Sequence, residues 1–146
     1  IIYNETLRDR VCAVSDKTHY NEMNVLSMHA LIGAYQPQGY EWVDELNQVL
    51  ADNIEYFCDY VDEHFEGVSY SRPQGTYMVF LDCTEWCREH GRDIQWLLDE
   101  GARVGVGYQD GRPFHGPCHI RVNLALPLSR VREACDRLDR YVFNAR

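Results

Sequence analysis

The sequence predicts an α+β domain in which a small antiparallel or mixed sheet is covered by helices. Three observations favour this class. Up to Phe65, apolar residues recur at three- and four-residue steps, which is typical of amphipathic helices. After Gly67 the pattern changes to short stretches of alternating apolar and polar residues, which is typical of strands. Helical spacing then returns between and after these strands, and this order of elements is that of α+β folds.

Composition and charge exclude several classes of protein. The 146 residues are 45% apolar and 25% charged, so we expect a folded chain, either one domain or part of a larger one. A formal net charge of -9 argues against a partner that is nucleic acid or an anionic membrane. No apolar run approaches the length of a membrane span, and no signal-peptide pattern opens the chain. Because the sequence starts at Ile1 without a methionine, we expect it to be cut from something longer.

The first third of the chain predicts helices after a short strand remnant at residues 1–3. Asn4 suits the N-cap position of a helix over Glu5–Ser15. A second helix is expected from about Asn21 to Tyr35. Small and apolar residues surround that helix on nearly all sides, which suggests that it packs on more than one side.

A long third helix is expected after a break in the chain. Pro37 and Gly39 predict the break, because both residues interrupt regular structure. The helix that follows runs from about Tyr40 to Phe65, and its acidic stripe is typical of a solvated face. The break is also the expected domain seam, which separates residues 1–36 from residues 37–146.

The remainder of the chain predicts strands, helices and one long loop. The pattern of alternation, turn residues and helical spacing places each element. In order, these are strands over Val68–Tyr70 and Thr76–Asp82, a helix over Asp93–Glu100, a strand over Arg103–Val106, a loop over Gly107–Pro117, a strand around Arg121, and a last helix over Ser129–Phe143 with Ser129 as its N-cap.

The strand around Arg121 carries the strongest candidate site residue. Its alternation gives one apolar and one polar face, formed by Ile120, Val122 and Leu124 on one side and His119, Arg121 and Asn123 on the other. A guanidinium at the edge of a core needs an anion, and its planar fork matches a carboxylate. Arg121 is therefore predicted to bind a carboxylate. The alternative is a structural ion pair between Arg121 and an internal carboxylate such as Asp82 or Asp110.

Six cysteines are spread along the chain without close pairs, which is typical of reduced, mostly buried thiols in a cytoplasmic protein. Cys83 and Cys87 miss the two-residue spacer of zinc and redox motifs. His115, Cys118 and His119 could be drawn as a metal cluster, but loop and strand would separate them and no fourth ligand is near. We therefore expect no metal site, although the spacing alone leaves a metal or redox role of these groups open.

Other candidate residues are few. Phe114 follows a turn, and it either lines a ligand pocket or anchors its loop, with the anchor favoured. No serine or cysteine has a recognisable nucleophile motif. The single lysine, Lys17, ends a helix without special context. Imine chemistry with a carbonyl cofactor needs a lysine in a shaped, desolvated site, so we do not expect that chemistry from Lys17.

Three motifs occur in order: Pro73-Gln74-Gly75-Thr76-Tyr77-Met78-Val79-Phe80-Leu81-Asp82, Asp110-Gly111-Arg112-Pro113-Phe114, and Ile120-Arg121-Val122-Asn123-Leu124-Ala125-Leu126-Pro127. Together they resemble the C-terminal part of the class I/II (fold-type I) pyridoxal-phosphate aminotransferases, in particular the cystathionine β-lyase, or C–S lyase, branch. The order of the helices also follows that family. The resemblance thus spans essentially the whole chain.

The resemblance implies an architecture and a set of roles. Residues 1–36 would be the tail of the large domain and leading helices, and residues 37–146 the small C-terminal domain with its long interdomain helix. Arg121 matches the arginine that binds the substrate α-carboxylate, and Phe114, Asn123 and Tyr77 are candidate pocket-lining residues. The Schiff-base lysine and most of the cofactor-binding groups would lie in the large domain, outside this chain.

The implied full-length protein is a cytoplasmic homodimer that uses pyridoxal 5'-phosphate to act on amino acids, as an aminotransferase or as a C–S β-lyase. Loss of a β-thiol group would make it a lyase. We expect the chain alone to bind no cofactor and to be inactive, because it needs the missing large domain. The alternative is a non-catalytic α+β module that binds an amino or keto acid through Arg121.

Overall fold

The computed structural model describes residues 2–19 and 23–145, and it confirms the α+β class. The chain divides into two compact units, Ile1–Asp44 and Glu45–Arg146. The helices are α1 (Glu5–Thr18), α2 (Val25–Ala34), α3 (Pro37–His64), α4 (Thr84–His90), α5 (Ile94–Arg103) and α6 (Leu128–Leu138), and the strands are β1 (Ser69–Tyr70), β2 (Met78–Asp82), β3 (Gln109–Asp110) and β4 (His119–Asn123).

Two capped helices open the first unit. The side chain of Asn4 accepts a hydrogen bond from the Leu7 backbone nitrogen at 2.9 Å, which confirms the predicted N-cap of α1. Asn24 caps α2 in the same way, whereas the start predicted at Asn21 lies outside the described residues. The strand remnant predicted at residues 1–3 is wrong for residues 2 and 3. These two residues form no regular structure, and residue 1 is not described.

The break predicted between the second and third helices exists, but it lies at Tyr35 and Gln36 and not at Pro37 and Gly39, because Pro37 is already the first residue of α3. Proline suits this position since its fixed φ is helical and its missing N–H would have no partner in the first turn. Gly39 lies in the same turn, where a Cβ atom would collide with the carbonyl of Ala34. Both residues therefore shape a tight connection between two helices.

The sheet of the second unit has the order β1-β2-β4-β3, with every neighbouring pair antiparallel. Val79 lies opposite Val122 and Leu81 opposite Ile120, and these four side chains are buried. The alternation predicted for the strand around Arg121 is thereby confirmed. One face of the sheet belongs to the hydrophobic core, which also contains buried side chains of α3, α4, α5 and α6. The opposite face carries the polar residues of β4.

Residues 84–110 differ most from the prediction. The helix α4 was not expected, and the strand predicted over Arg103–Val106 is wrong because α5 continues to Arg103. Gly101 allows this continuation, since the ring of Tyr108 packs where a Cβ atom would lie. The chain then turns at Gly105, whose φ of 77° favours glycine. The strand β3 follows at Gln109–Asp110, inside the predicted loop.

The last helix begins one residue earlier than predicted. Ser129 lies inside α6 and is not its N-cap, because Pro127 occupies the cap position. Helical spacing also predicts a buried stripe on this helix, formed by Val131, Ala134, Cys135, Leu138 and Val142. All of these are buried except Ala134, which is half-buried. A π-helical turn over Asp139–Phe143 continues the helix.

A buried amide connects α3 to the end of β4. Asn53 is 1% exposed, and its side-chain nitrogen donates to the carbonyls of Leu124 at 2.9 Å and Leu126 at 2.8 Å. These carbonyls follow the last residue of the strand and have left the ladder. The amide therefore connects α3 to the backbone that follows β4 by two hydrogen bonds.

The buried thiol of α6 generates a pH prediction. Burial raises the pKa of Cys135 from 9.0 to about 12. Between these two values the unfolded chain loses the proton and the folded chain keeps it, so stability falls with rising pH by about 1.4 kcal/mol per pH unit for this group. We expect Cys135→Ala to remove this part of the alkaline slope, measured by urea denaturation of the intact protein from pH 8 to about pH 11.

Val131→Ala is the matched control, because it truncates a buried, non-titrating side chain on the same helix. This variant should lose a similar free energy of unfolding at every pH. An alkaline slope that is the same in Cys135→Ala as in the wild type would contradict the prediction.

Candidate functional site

The candidate site lies on the face of the sheet opposite the core. The register places Phe80 of β2 and Gln109 of β3 on either side of Arg121 in β4. Side chains that lie directly opposite each other in an antiparallel pair point to the same face. The three side chains therefore form one row across the sheet, and Arg121 is half-buried at its centre.

The guanidinium of Arg121 is fixed by two neighbours. Its Nε and Nη2 atoms both donate to the side-chain oxygen of Gln109, with an Nε–oxygen distance of 2.7 Å. The ring of Phe114 lies against the guanidinium, with 3.9 Å between the central carbon and the ring centroid. This contact is a cation–π interaction. Among the described residues, nothing accepts a hydrogen bond from Nη1.

No carboxylate of the described residues pairs with Arg121. Asp110 accepts a hydrogen bond from Arg112 at 2.7 Å, and this bond holds the pKa of Asp110 below its ordinary value. Asp82 accepts from the backbone nitrogen of Thr84 at 2.9 Å. The alternative in which Arg121 forms a structural ion pair with Asp82 or Asp110 is therefore wrong. Within the described part of the chain, the groups that contact the charge of Arg121 are a neutral amide and an aromatic ring.

A second polar row lies beside the first. The ring of His119 packs against the ring of Phe80 in a tilted arrangement with centroids 4.6 Å apart, and its Nε2 lies 3.8 Å from a carboxylate oxygen of Asp82. Burial favours a higher pKa for Asp82, but hydrogen bonds from Thr84 and the nearby imidazole outweigh it and lower that pKa. Nδ1 of His119 is buried and has no hydrogen-bond partner in the described part of the chain.

The loop between β3 and β4 folds back over this face. Gly111 donates from its backbone nitrogen to the carbonyl of His119 at 2.9 Å. A Cβ atom at Gly116 would lie 2.5 Å from the Phe80 ring and 2.6 Å from the His119 ring, so only glycine allows this approach. The intervening 3-10 turn carries Phe114 to Arg121. Phe114 thus contacts the candidate site and still remains 44% exposed.

The other candidate pocket residues are not brought together with Arg121 and Phe114. Asn123 lies on the same face. Its side-chain oxygen accepts a hydrogen bond from the backbone nitrogen of Ala125 at 2.8 Å, so it binds the backbone just beyond the end of β4. Tyr77 lines a separate concavity of about 630 Å³ beside α3. Gln109 was missed by the sequence reasoning, because its position was assigned to a loop and nothing local marks it as a strand residue.

The cysteines and histidines form no metal site among residues 2–19 and 23–145, where no suitable group of three or more ligating side chains occurs. All six cysteines are free thiols. Burial and a neighbouring thiol, Cys118, raise the pKa of Cys87 to about 12, so Cys87 is protonated at neutral pH. In the same ranges, no helix is long and apolar enough to cross a bilayer.

The known proteins that resemble this chain belong to one family. Residues 1–138 match the family described as "Aminotransferase class I and II". A "Putative cystathionine beta-lyase" of Mycobacterium leprae is 35% identical over 124 residues, which cover 74% of this chain and 30% of that protein. Protein MalY of Escherichia coli K12 is 31% identical over 136 residues, which cover 91% of this chain and 34% of that protein. The chain thus spans about a third of the length of these relatives.

A solved structure has the same fold. The PLP-bound C-S lyase from Staphylococcus hominis superimposes with a TM-score of 0.77 at 24% identity. The match covers 95% of this chain and 36% of that chain.

Gly116→Ala tests the close approach of the loop to the sheet. The added Cβ atom would collide with the rings of Phe80 and His119, so the loop must move. We expect a loss of about 1–3 kcal/mol in the free energy of unfolding, measured by urea denaturation of the intact protein. Gly107→Ala is the control, because nothing lies within 4 Å of its Cβ position. Equal stabilities of the two variants would contradict the described loop geometry.

Proposed function

The chain belongs to the class I and II aminotransferase family, and we propose that it is the C-terminal part of a pyridoxal-phosphate-dependent aminotransferase or C–S β-lyase. In this proposal Arg121 binds the α-carboxylate of an amino-acid substrate. One observation carries it: a half-buried guanidinium is held in place by Gln109 and Phe114, and no described carboxylate neutralises it. Such a cation is a ready receptor for an external carboxylate.

The geometry of Arg121 supports binding in two points. A guanidinium binds a carboxylate best through two parallel N–H groups along one edge. Gln109 occupies the edge formed by Nε and Nη2, so the edge that includes Nη1 is left for a ligand. The residue also lies between two paired strands, which limits its movement. Arg121 can therefore hold and orient a substrate carboxylate on a rigid element.

The relatives support both versions of the reaction. Two of the similar proteins are named as a putative cystathionine beta-lyase and a C-S lyase, while the family as a whole is named for aminotransferases. Both reactions act on an amino acid, so both need its α-carboxylate fixed. The proposed task of Arg121 is the same in either case.

The family's cofactor is pyridoxal phosphate, which supplies an electron sink for chemistry at the substrate α-carbon when it is bound. The residues of this chain fit the carboxylate subsite beside such a group, but they do not fit its attachment. The single lysine, Lys17, is exposed in the last turn of α1, and the unit that contains Arg121 has no lysine. We therefore propose that the attachment lysine belongs to a large domain outside this chain, and that the chain alone is inactive.

Exposed apolar residues support the proposal that a larger protein surrounds residues 1–36. The helix α2 is almost wholly apolar, yet all its residues are exposed. Leu26 is an example at 82% exposure. Burial of such residues against a large domain, or against the second subunit of the homodimer that the family resemblance implies, would remove this apolar surface from water. The free thiols support the proposed cytoplasmic location.

The substitution Arg121→Ala in the full-length enzyme tests the central assignment. Loss of a charge-assisted pair with the substrate carboxylate costs about 1.5–3 kcal/mol, so we expect kcat/KM to fall by about 10- to 150-fold. Steady-state kinetics with an amino-acid substrate measure this effect. Arg88→Ala is the control, because Arg88 is exposed on α4 and pairs with Glu85. An unchanged kcat/KM in Arg121→Ala would refute the assignment. An intact protein that binds amino acids through Arg121 without turnover would favour the non-catalytic module.

The proposed absence of cofactor attachment has its own test. The chain of residues 1–146 is incubated with an equimolar amount of pyridoxal phosphate, treated with borohydride and analysed by peptide mass spectrometry. We expect no stoichiometric label on Lys17, because an exposed lysine lacks the desolvated pocket that a stable imine needs. Stoichiometric trapping on Lys17 would overturn this part of the proposal.

A further inference from the structure

We propose that Gln109 is a positioning residue for Arg121 and thereby sets the affinity of the site for a substrate carboxylate. The inference rests on the proposed function of Arg121 and extends it to Gln109, a residue that belongs to no sequence motif. Gln109 does not touch the substrate in this proposal. It acts by holding the guanidinium in one orientation.

The first support is the hydrogen bonding across the sheet. Gln109 and Arg121 lie directly opposite each other in the pairing of β3 with β4. The oxygen of the Gln109 side chain accepts from both Nε and Nη2, so it occupies that edge of the guanidinium. Free rotation about the last bonds of an arginine side chain would otherwise spread the guanidinium over several orientations. Preorganisation of this kind improves binding by reducing the entropy lost with the ligand.

The second support is that Gln109 is itself held in place. The hydroxyl of the preceding residue, Tyr108, donates to the carbonyl of Leu97. The following residue, Asp110, accepts from Arg112, which also donates to Gln95 at 2.9 Å. These bonds fix the residues on both sides of Gln109, which is the first residue of the two-residue strand β3. Phe114 closes one face of the guanidinium, so Gln109 and Phe114 together leave the Nη1 side for a ligand.

The third support is the neutrality of the amide. A carboxylate at this position would hold Arg121 equally well in space, but it would neutralise the guanidinium and compete with a substrate carboxylate. The nearest acid along the strand, Asp110, is already paired with Arg112. A neutral acceptor therefore orients the arginine and leaves its charge for the ligand.

The experiment uses the full-length holoenzyme with Gln109→Met and Gln109→Glu. The methionine variant keeps the length of the side chain and removes the acceptor, so we expect KM for the amino-acid substrate to rise about 5- to 20-fold with kcat within about twofold. The glutamate variant should raise KM further, because its carboxylate competes for the guanidinium. Gln48→Met is the control, since Gln48 is an exposed glutamine of the same unit whose side chain donates to Asp52 and takes no part in the bonds around Gln109. It should leave KM unchanged.

Two further measurements separate positioning from structural damage. The matching amine that lacks the α-carboxylate is tested as a competitive inhibitor, and its inhibition constant should not change in Gln109→Met. Proton exchange of the Arg121 Nε–H group, followed by NMR of arginine-labelled protein without substrate, should be slow in the wild type and fast in Gln109→Met. An equal loss of affinity for the amine and for the amino acid would show a structural role and overturn the inference.

The outcomes distinguish this inference from the proposed function. If Arg121→Ala weakens catalysis and Gln109→Met leaves KM and the Nε–H exchange unchanged, the positioning role is refuted and the carboxylate assignment stands. If both substitutions leave kcat/KM unchanged, the proposed function of Arg121 fails, and the positioning role fails with it.

Discussion

The antiparallel pairing of β2 with β4 determines most of the second unit. Val79 and Leu81 lie opposite Val122 and Ile120, and all of them are buried in the core shared with the helices. A slip of one residue would move these side chains to the opposite face, at a cost of roughly 1.5–3 kcal/mol for each one exposed. The buried face therefore fixes the register. That register in turn places the polar residues of β4, including Arg121, on the free face.

The free face holds a cation without a carboxylate, and its neighbours explain how this is possible. Arg121 is only half-buried, so part of its charge remains solvated. The side-chain oxygen of Gln109 accepts hydrogen bonds from two N–H groups of Arg121, and the ring of Phe114 lies against the face of the guanidinium. Each contact offsets some of the desolvation cost, and none cancels the charge. The surrounding acids, in contrast, are paired with other partners. The electrostatics of this face thus fit a ligand that carries its own negative charge.

The contact between Phe114 and Arg121 depends on the loop between β3 and β4, which approaches the sheet closely at a glycine. Gly116 lies against the rings of Phe80 and His119, and the turn that it permits carries Phe114 to Arg121. The core and the free face are therefore coupled through the same two strands. The hydroxyl of Tyr108, the residue before Gln109, donates to the carbonyl of Leu97 and so connects the start of β3 to α5. A site built in this way on paired strands is more rigid than one built on loops alone.

Local sequence determined the parts of this protein that depend on neighbours within about four residues. Helical spacing predicted the buried stripe of α6, Asn4 predicted the start of α1, and alternation predicted the two faces of β4 with Arg121 on the polar one. The resemblance in sequence added the role that we propose for Arg121. Only the tertiary structure decided that α5 continues through Gly101 against the ring of Tyr108, and that Gln109 belongs to a strand beside Arg121. These contacts join residues that are distant in sequence, and they depend on the register that packing of the whole core selects, so no local pattern encodes them.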